Sequence, residues 1–311
     1  MISPEQIQTA AELIRQGRLV AFPTETVYGL GANALDPAAV ARIYEAKGRP
    51  AASPLIVHVA SIEMAREVAA AWPERAETLA KRYWPGPLTL VLPKQPHVPD
   101  IVTAGLATVG IRVPAHPVAL ALIRAAGVPI AAPSANRFSG LSPTTAAHVR
   151  DSLGGAVDLI LDGGPTDVGI ESTVLSLAGP RPVLLRPGMV SQKEIEERIG
   201  PVEVAPAAGA GPHRSPGMHR KHYSPKTRLL LVKGGAVPGR GKGGYAGLCS
   251  EPAGPVARLV WMPPDPAMYA TVLYETLHRL DGEGLDWIAV ERPPERPEWA
   301  AILDRLERAS N

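Results

Sequence analysis

Ala21-Phe-Pro-Thr-Glu-Thr-Val-Tyr-Gly-Leu-Gly-Ala-Asn-Ala34 is the stretch from which the fold of this chain is read. The apolar run 17–22 reads as a strand, and Asp36-Pro37 opens a helix through an N-cap aspartate followed by proline at the first helical position. The stretch is therefore predicted to be a loop at a strand end. Thr24, Glu25, Thr26 and Tyr28 crowd its first half, and Gly29 and Gly31 remove side chains where a ligand could approach the backbone. The plainer reading is a capped turn whose hydroxyls bind local backbone.

Outward from this loop, helical spacing alternates with short apolar runs. Helices are predicted over 3–16, 37–46, 61–71, 73–84, 116–126, 144–153 and 191–199, and strands over 55–59, 88–92, 108–114, 128–132 and 159–161, with a strand pair at 171–176 and 183–188. That alternation predicts an α/β fold with a parallel or mixed sheet covered by helices. Lys47-Gly48-Arg49 places two cations on a glycine-loosened turn, which suits either an anion such as phosphate or a solvated helix end. Strand 108–114 puts Thr108, Gly110 and Arg112 on one face, so Arg112 faces solvent or reaches a carboxylate or phosphate in a cleft. Residues 133–143 form a second loop rich in hydroxyls and amides at a strand end, and open α/β sheets bind ligands where such loops gather.

Residues 200–226 are poor in periodicity and rich in Pro, Ala and Gly, as a linker is, but Ser215-Pro-Gly-Met-His-Arg-Lys-His-Tyr-Ser-Pro carries more chemistry than a spacer needs and reads as a ligand-covering segment. His213, His219 and His222 lack the spacing and nearby carboxylates of a metal site, so no resident metal is expected. Beyond 226, strands at 229–232, 245–249, 259–262 and 287–290 with helices at 267–280 and 297–308 predict a smaller three-layer α/β domain. The glycine-rich run 234–244 fails as a phosphate loop, since Ala236 and Gly243 stand where glycine and a hydroxyl are required.

Composition narrows the class. The chain has 311 residues, 45% hydrophobic and 20% charged, which fits two globular domains. Its net charge of +2 demands no nucleic-acid partner. One cysteine, Cys249, excludes an intramolecular disulfide or a multi-cysteine metal site, fits a reducing cytosol, and reads as a core residue of a buried strand. No export signal or membrane-spanning run is apparent, so a cytoplasmic protein is expected.

The motifs Pro23-Thr-Glu-Thr-Val-Tyr-Gly-Leu-Gly, Lys47-Gly-Arg, Pro54-Leu-Ile-Val-His, Trp84-Pro-Gly-Pro-Leu-Thr, Arg112-Val-Pro, Ala132-Pro-Ser-Ala-Asn, Glu171-Ser-Thr, Arg186-Pro-Gly and Ser215-Pro-Gly-Met with His222-Tyr recur in this order over the first 223 residues. In them the chain resembles the Sua5/YrdC/YciO family of threonylcarbamoyl-AMP synthases, in its longer Sua5 form; the last domain resembles the Sua5-specific one in position and size only. The resemblance implies a YrdC-like open twisted mixed sheet over 1–200, a linker and active-site lid over 201–226, and a Rossmann-like domain over 227–311. It implies condensation of L-threonine, bicarbonate or CO2, and ATP with Mg2+, giving threonylcarbamoyl-AMP and pyrophosphate. A separate transferase then places the threonylcarbamoyl group beside the tRNA anticodon, so stable tRNA binding is not required.

By the same resemblance, Thr26, His58, Arg112, Ala132 and Ser172 surround threonine, with Arg112 on its carboxylate. Arg49, Ser53, Thr108, Ser134, Ser142 and Arg186 hold ATP, Lys47 and Asn136 complete the phosphate contacts, and His222 or Tyr223 closes over the nucleotide. Lys47, Arg49 and Arg112 then carry the catalytic charge, and His58 and Glu25 are candidates for a general base. One rival reading is an RNA-binding module that uses Lys47, Arg49, Arg112 and Arg137 on phosphates. A carbamoyl-adenylate former of the hydrogenase-maturation type would need cysteine zinc motifs, which a single cysteine cannot provide.

Overall fold

The computed structural model describes residues 2–50, 53–205 and 222–311. In the first domain, α1 (Pro4–Arg15), opened by a Ser3/Gln6 capping box, leads into β1 (Val20–Phe22), β2 (Gly29–Asn33), α2 (Pro37–Lys47), β3 (Ile56–His58), α3 (Ile62–Val68) and α4 (Glu74–Tyr83). Then follow β4 (Leu88–Pro93), α5 (Asp100–Thr103), β5 (Thr108–Arg112), α6 (Pro117–Ala126), β6 (Ile130–Ala131), α7 (Ala146–Leu153), β7 (Leu159–Ile160), β8 (Thr173–Ser176), β9 (Val183–Arg186), α8 (Gln192–Ile199) and β10 (Glu203–Val204). The strands form one mixed ten-stranded sheet in the order β10-β9-β8-β4-β5-β3-β6-β2-β1-β7. The second domain is a parallel sheet in the order β11-β14-β12-β13, built from β11 (Arg228–Val232), β12 (Gly243–Gly247), β13 (Arg258–Trp261), α9 (Pro266–Asp281), β14 (Trp287–Glu291) and α10 (Ala300–Ala309).

The α/β class and the mixed open sheet agree with the sequence, and four details differ. The second half of the opening stretch is not loop but β2, antiparallel to β1. Gly31 lies in that ladder because a Cβ there would stand 2.7 Å from the Phe22 ring and 2.9 Å from Ile130, so its bareness serves packing rather than ligand approach. The first domain extends to β10, beyond residue 200. In the second domain α9 and α10 share one face of the sheet, packing on Leu229, Ile288 and Val290, whereas Val237 and Val256 from loops cover the Tyr245, Trp287 and Ala289 face; the expected third layer is loop, not helix. Cys249 follows β12 and is exposed, its thiol donating to Glu291. The histidine-rich linker segment through residue 221 lies outside the described residues.

Strand periodicity divides the large sheet into two unlike faces. Leu30 and Ala32, Val57, Leu88, Leu90 and Leu92, and Val109 and Ile111 point into the main core beneath α2, α4 and α7. The alternate positions carry Gly29, Ile56, His58, Thr89, Gly110 and Arg112. On this second face α1 and α6 cover only the end around Val20, Phe22 and Ile130. Of the remainder, Gly29, Ile56, His58 and Arg112 line a cavity together with His222 and Tyr223.

The two domains also meet through histidines. His148 of α7 and His278 of α9 stack with ring centroids 3.8 Å apart. His148 Nε2 lies 3.2 Å from Glu275, and His278 Nε2 lies 3.1 Å from the Ser142 carbonyl oxygen, so each ring is tied across the junction. Burial, reinforced by the adjacent His148, lowers His278 from 6.5 to about 4, and burial also lowers His148. Asp151, Glu275 and Asp281 pull the other way and are outweighed. A lowered folded-state pKa means that the unfolded chain takes up the proton first. The stabilisation is therefore complete above about pH 6.5 and is lost progressively as pH falls towards 4. Thermal unfolding should show stability falling across that window, with His58 and His148 contributing beside His278, and His278→Gln should make the fall shallower by about 1–3 kcal/mol.

Candidate active site

Two loops that are distant in sequence are joined by backbone bonds. Tyr28 N donates to Pro143 O at 2.8 Å, Leu30 N to Pro133 O at 2.8 Å and Ala135 N to Tyr28 O at 2.8 Å. The opening stretch and the second polar loop thus form one rim. Thr24 satisfies the plainer local reading, since its hydroxyl accepts from Val27 N and donates to Val27 O. Tyr28 is structural too, donating its hydroxyl to Gly164 O at 2.7 Å. Thr26 is different: its hydroxyl accepts from Arg112 Nη1 at 2.9 Å.

Arg112 is buried, which decides between the two placements the sequence left open. Its Nε donates to Gly86 O at 3.1 Å, and Nη2 stands 2.6 Å from Glu25 Oε1 in ion-pair contact. The Trp84-Pro-Gly-Pro stop thereby acquires a role, presenting the Gly86 carbonyl to the guanidinium. Glu25 is fixed in turn, its Oε2 accepting from Ala115 N at 3.0 Å. On the neighbouring strand, in register with Arg112, stands His58. Burial, then the Arg112 charge, lowers His58 from 6.5 to about 3, so it is a neutral imidazole at physiological pH. Its Nδ1 is buried with no partner among the described residues.

Arg49 and Arg186 form a second cationic group. Arg49 Nη2 donates to Pro54 O at 3.0 Å, and burial lowers its pKa to about 10. Arg186 donates from Nε to Ser172 O at 3.1 Å and from Nη2 to Ser172 Oγ at 3.2 Å. Tyr223 is buried nearby, its hydroxyl without a partner among the described residues. A single cavity is lined by both groups: Thr26, His58, Arg112, Ala132 and Ser172 on one hand, Arg49, Ser134, Arg186, His222 and Tyr223 on the other. Glu171 lines it as well. The sequence offered Glu171 only as a motif member, because nothing local distinguishes a carboxylate aimed at a cavity from one on a surface.

Five expected contact residues stand outside that lining. Lys47 is fully buried behind the rim, its Nζ donating to Ser134 O and Asn136 O, and is a strut for the 134–136 loop rather than a group facing the cavity. Asn136 folds the same loop, donating from Nδ2 to Arg137 O at 2.8 Å and to Gly140 O at 2.9 Å. Ser142 donates its hydroxyl to Glu171. Ser53 is buried, its carbonyl accepting from the Tyr44 hydroxyl. Thr108 shares the Arg112 face at the far end of β5, paired with Pro93. Sequence spacing places these residues near the site but cannot say which atom turns inward. Lys47→Met leaves two buried carbonyls without their donor, and urea unfolding should register a loss of about 2–4 kcal/mol. An exposed phosphate-binding lysine would lose far less.

Comparison with known proteins agrees with this geometry. Residues 12–188 match the Sua5–YciO–YrdC family model, described as telomere recombination, and residues 190–311 match the model described as the threonylcarbamoyl-AMP synthase C-terminal domain. Threonylcarbamoyl-AMP synthase of Pyrococcus abyssi is 45% identical over 98% of this chain and 94% of its own length, and that of Bacillus subtilis is 44% identical over 98% and 93%. The crystal structure of P. abyssi Sua5 complexed with L-threonine superposes with a TM-score of 0.92 at 43% identity, covering 100% of this chain and 95% of that one. Escherichia coli YciO matches 60% of this chain and 91% of its own with a TM-score of 0.53 at 27% identity. With both domains matched and relatives this similar over nearly the full length, the chain belongs to the Sua5/YciO/YrdC family in its two-domain, Sua5-type form.

Proposed function

We propose that this chain condenses L-threonine, bicarbonate or CO2, and ATP into threonylcarbamoyl-AMP and pyrophosphate. The observation that carries the reading is one cavity holding a fixed guanidinium beside a neutral imidazole, Arg112 and His58, together with the cationic pair Arg49 and Arg186. A zwitterionic amino acid suits the first group and a triphosphate the second. Gly86 takes the Nε–H and Thr26 one N–H of Nη1, while Glu25 lies in ion-pair contact with Nη2, so both terminal nitrogens keep an N–H for the threonine carboxylate.

Threonine's neutral amine captures CO2 as an N-carboxylate, its released proton being consumed as bicarbonate gives up CO2 and water, and one carboxylate oxygen then attacks the α-phosphorus while pyrophosphate departs. No side-chain nucleophile is needed. His58, at about 3, is too weak a base to hold the amine's proton, and Glu25 is bound to Arg112 and to Ala115 N, so both serve to position substrate rather than to remove a proton. Arg49 and Arg186 neutralise the developing phosphate charge, and His222 and Tyr223 roof the cavity against water that would hydrolyse the mixed anhydride. Among the described residues no cluster of His, Cys, Asp or Glu could hold a metal, so Mg2+ is read as part of the MgATP substrate.

On this reading the product passes to a tRNA threonylcarbamoyl transferase, and the chain works in the cytoplasm beside it. No helix among the described residues is long and apolar enough to cross a membrane. An RNA-binding module is disfavoured because Arg49, Arg112 and Arg186 are only 7%, 3% and 4% exposed, out of reach of a polymer backbone. Pyrophosphate release should require threonine, bicarbonate and ATP together, and Arg112→Ala and Arg49→Ala should each lower it about 10²- to 10³-fold. Release indifferent to threonine, or RNA binding with steep salt dependence, would overturn the reading.

A further inference from the structure

A carboxylate that lines a phosphate-binding cavity repels its ligand and competes for the cations meant for it. Glu171 is such a carboxylate, buried and beside Arg186. Its countercharge comes from the other domain. Arg305 of α10 lies 2.7 Å from Glu171 Oε2 through Nε, and its Nη2 donates to Glu171 O at 3.3 Å and to Pro187 O at 3.1 Å. Arg305 is the largest fully buried side chain among the described residues and is 1% exposed. Tyr274 of α9 donates its hydroxyl to the same carboxylate at 3.1 Å, and Ser142 donates from the first domain.

These second-domain groups also hold the roof. The Arg305 guanidinium stacks over the Tyr223 ring at 5.2 Å, the Tyr274 ring lies 6.0 Å from it, and His222 N donates to Arg308 O at the end of α10 at 3.2 Å. Tyr223 adopts a left-handed backbone with φ of 62°, unusual for a non-glycine residue, so its placement depends on such outside contacts.

We propose that Arg305 and Tyr274 are positioning residues of the reaction, through which the C-terminal domain neutralises Glu171 and seats Tyr223, completing the nucleotide side of the cavity. The proposal rests on the ATP-binding reading of that cavity. Without Arg305, Glu171 turns to Arg186 for its countercharge, and the nucleotide meets a net loss of positive charge and a loosened roof. On the threonine side Arg112 keeps its place, because it has its own partner in Glu25.

Full-length Arg305→Met, Tyr274→Phe and the double variant Arg305→Met/Glu171→Gln test it. Two binding titrations without turnover, of a non-hydrolysable ATP analogue with Mg2+ and of L-threonine, are read beside pyrophosphate kinetics and thermal unfolding. Arg305→Met should weaken analogue binding and raise KM for ATP about tenfold or more, Tyr274→Phe about two- to fivefold, both with threonine affinity kept within about twofold. Replacing Glu171 by glutamine should recover most of the analogue affinity, since a neutral amide requires no countercharge. A folded Arg305→Met chain with unchanged analogue affinity would sink the proposal. So would parallel losses of ATP, threonine and thermal stability without recovery in the double variant, which mark a purely structural contact. Wild-type chain that binds the analogue but releases no threonine-dependent pyrophosphate would instead overturn the reaction assigned above.

Discussion

Burying guanidinium groups on one face of a sheet is the constraint to which the rest of this structure answers. An unpaired buried charge costs several kcal/mol, so each must be met by carbonyls and carboxylates placed in advance. Arg112 finds Gly86 O, Thr26 and Glu25, Arg49 finds Pro54 O, and Arg186 finds Ser172. Every one of these partners lies on a turn between elements. The short strands and proline-rich connections therefore exist to deliver backbone oxygens to fixed points, and the cations are already rigid when a ligand arrives.

The same constraint explains why the sheet faces differ. One face is an uninterrupted aliphatic core beneath helices and carries the stability of the domain. The other carries His58, Arg112, Gly110 and Thr89 in place of apolar side chains along its middle, and His58 and Arg112 there line the cavity that His222 and Tyr223 also line. The 222–224 segment is tied to both domains, by His222 N to Arg308 O at 3.2 Å and by Ser224 N to Ser139 O at 2.9 Å.

Much of this was legible in the chain. Helix bounds followed from caps such as Ser3 before Pro4 and Asp36 before Pro37, whose signals are local. The two polar loops were visible as loops, and the alternation in β5 placed Arg112 opposite the core. β2 was missed because Gly-Leu-Gly-Ala-Asn has no strand propensity, and only its pairing with β1 and β6 makes it one. Lys47 and Arg49 stand two residues apart with the same charge, yet one is a strut and the other lines the cavity, because Gly48 at φ of 60° ends the helix between them and redirects the chain.

The sequence by itself determined the periodic elements, the α/β class and the pool of polar residues from which a site could be drawn, since each depends on neighbours within a few positions. The tertiary structure alone decided which of those residues share a cavity and which partner each buried charge receives. Glu171 and Arg305 are separated by 134 residues, and no local pattern links them. Electrostatic pairing in a low-dielectric interior acts through distance and desolvation, and these come into being only when the two domains close on one another.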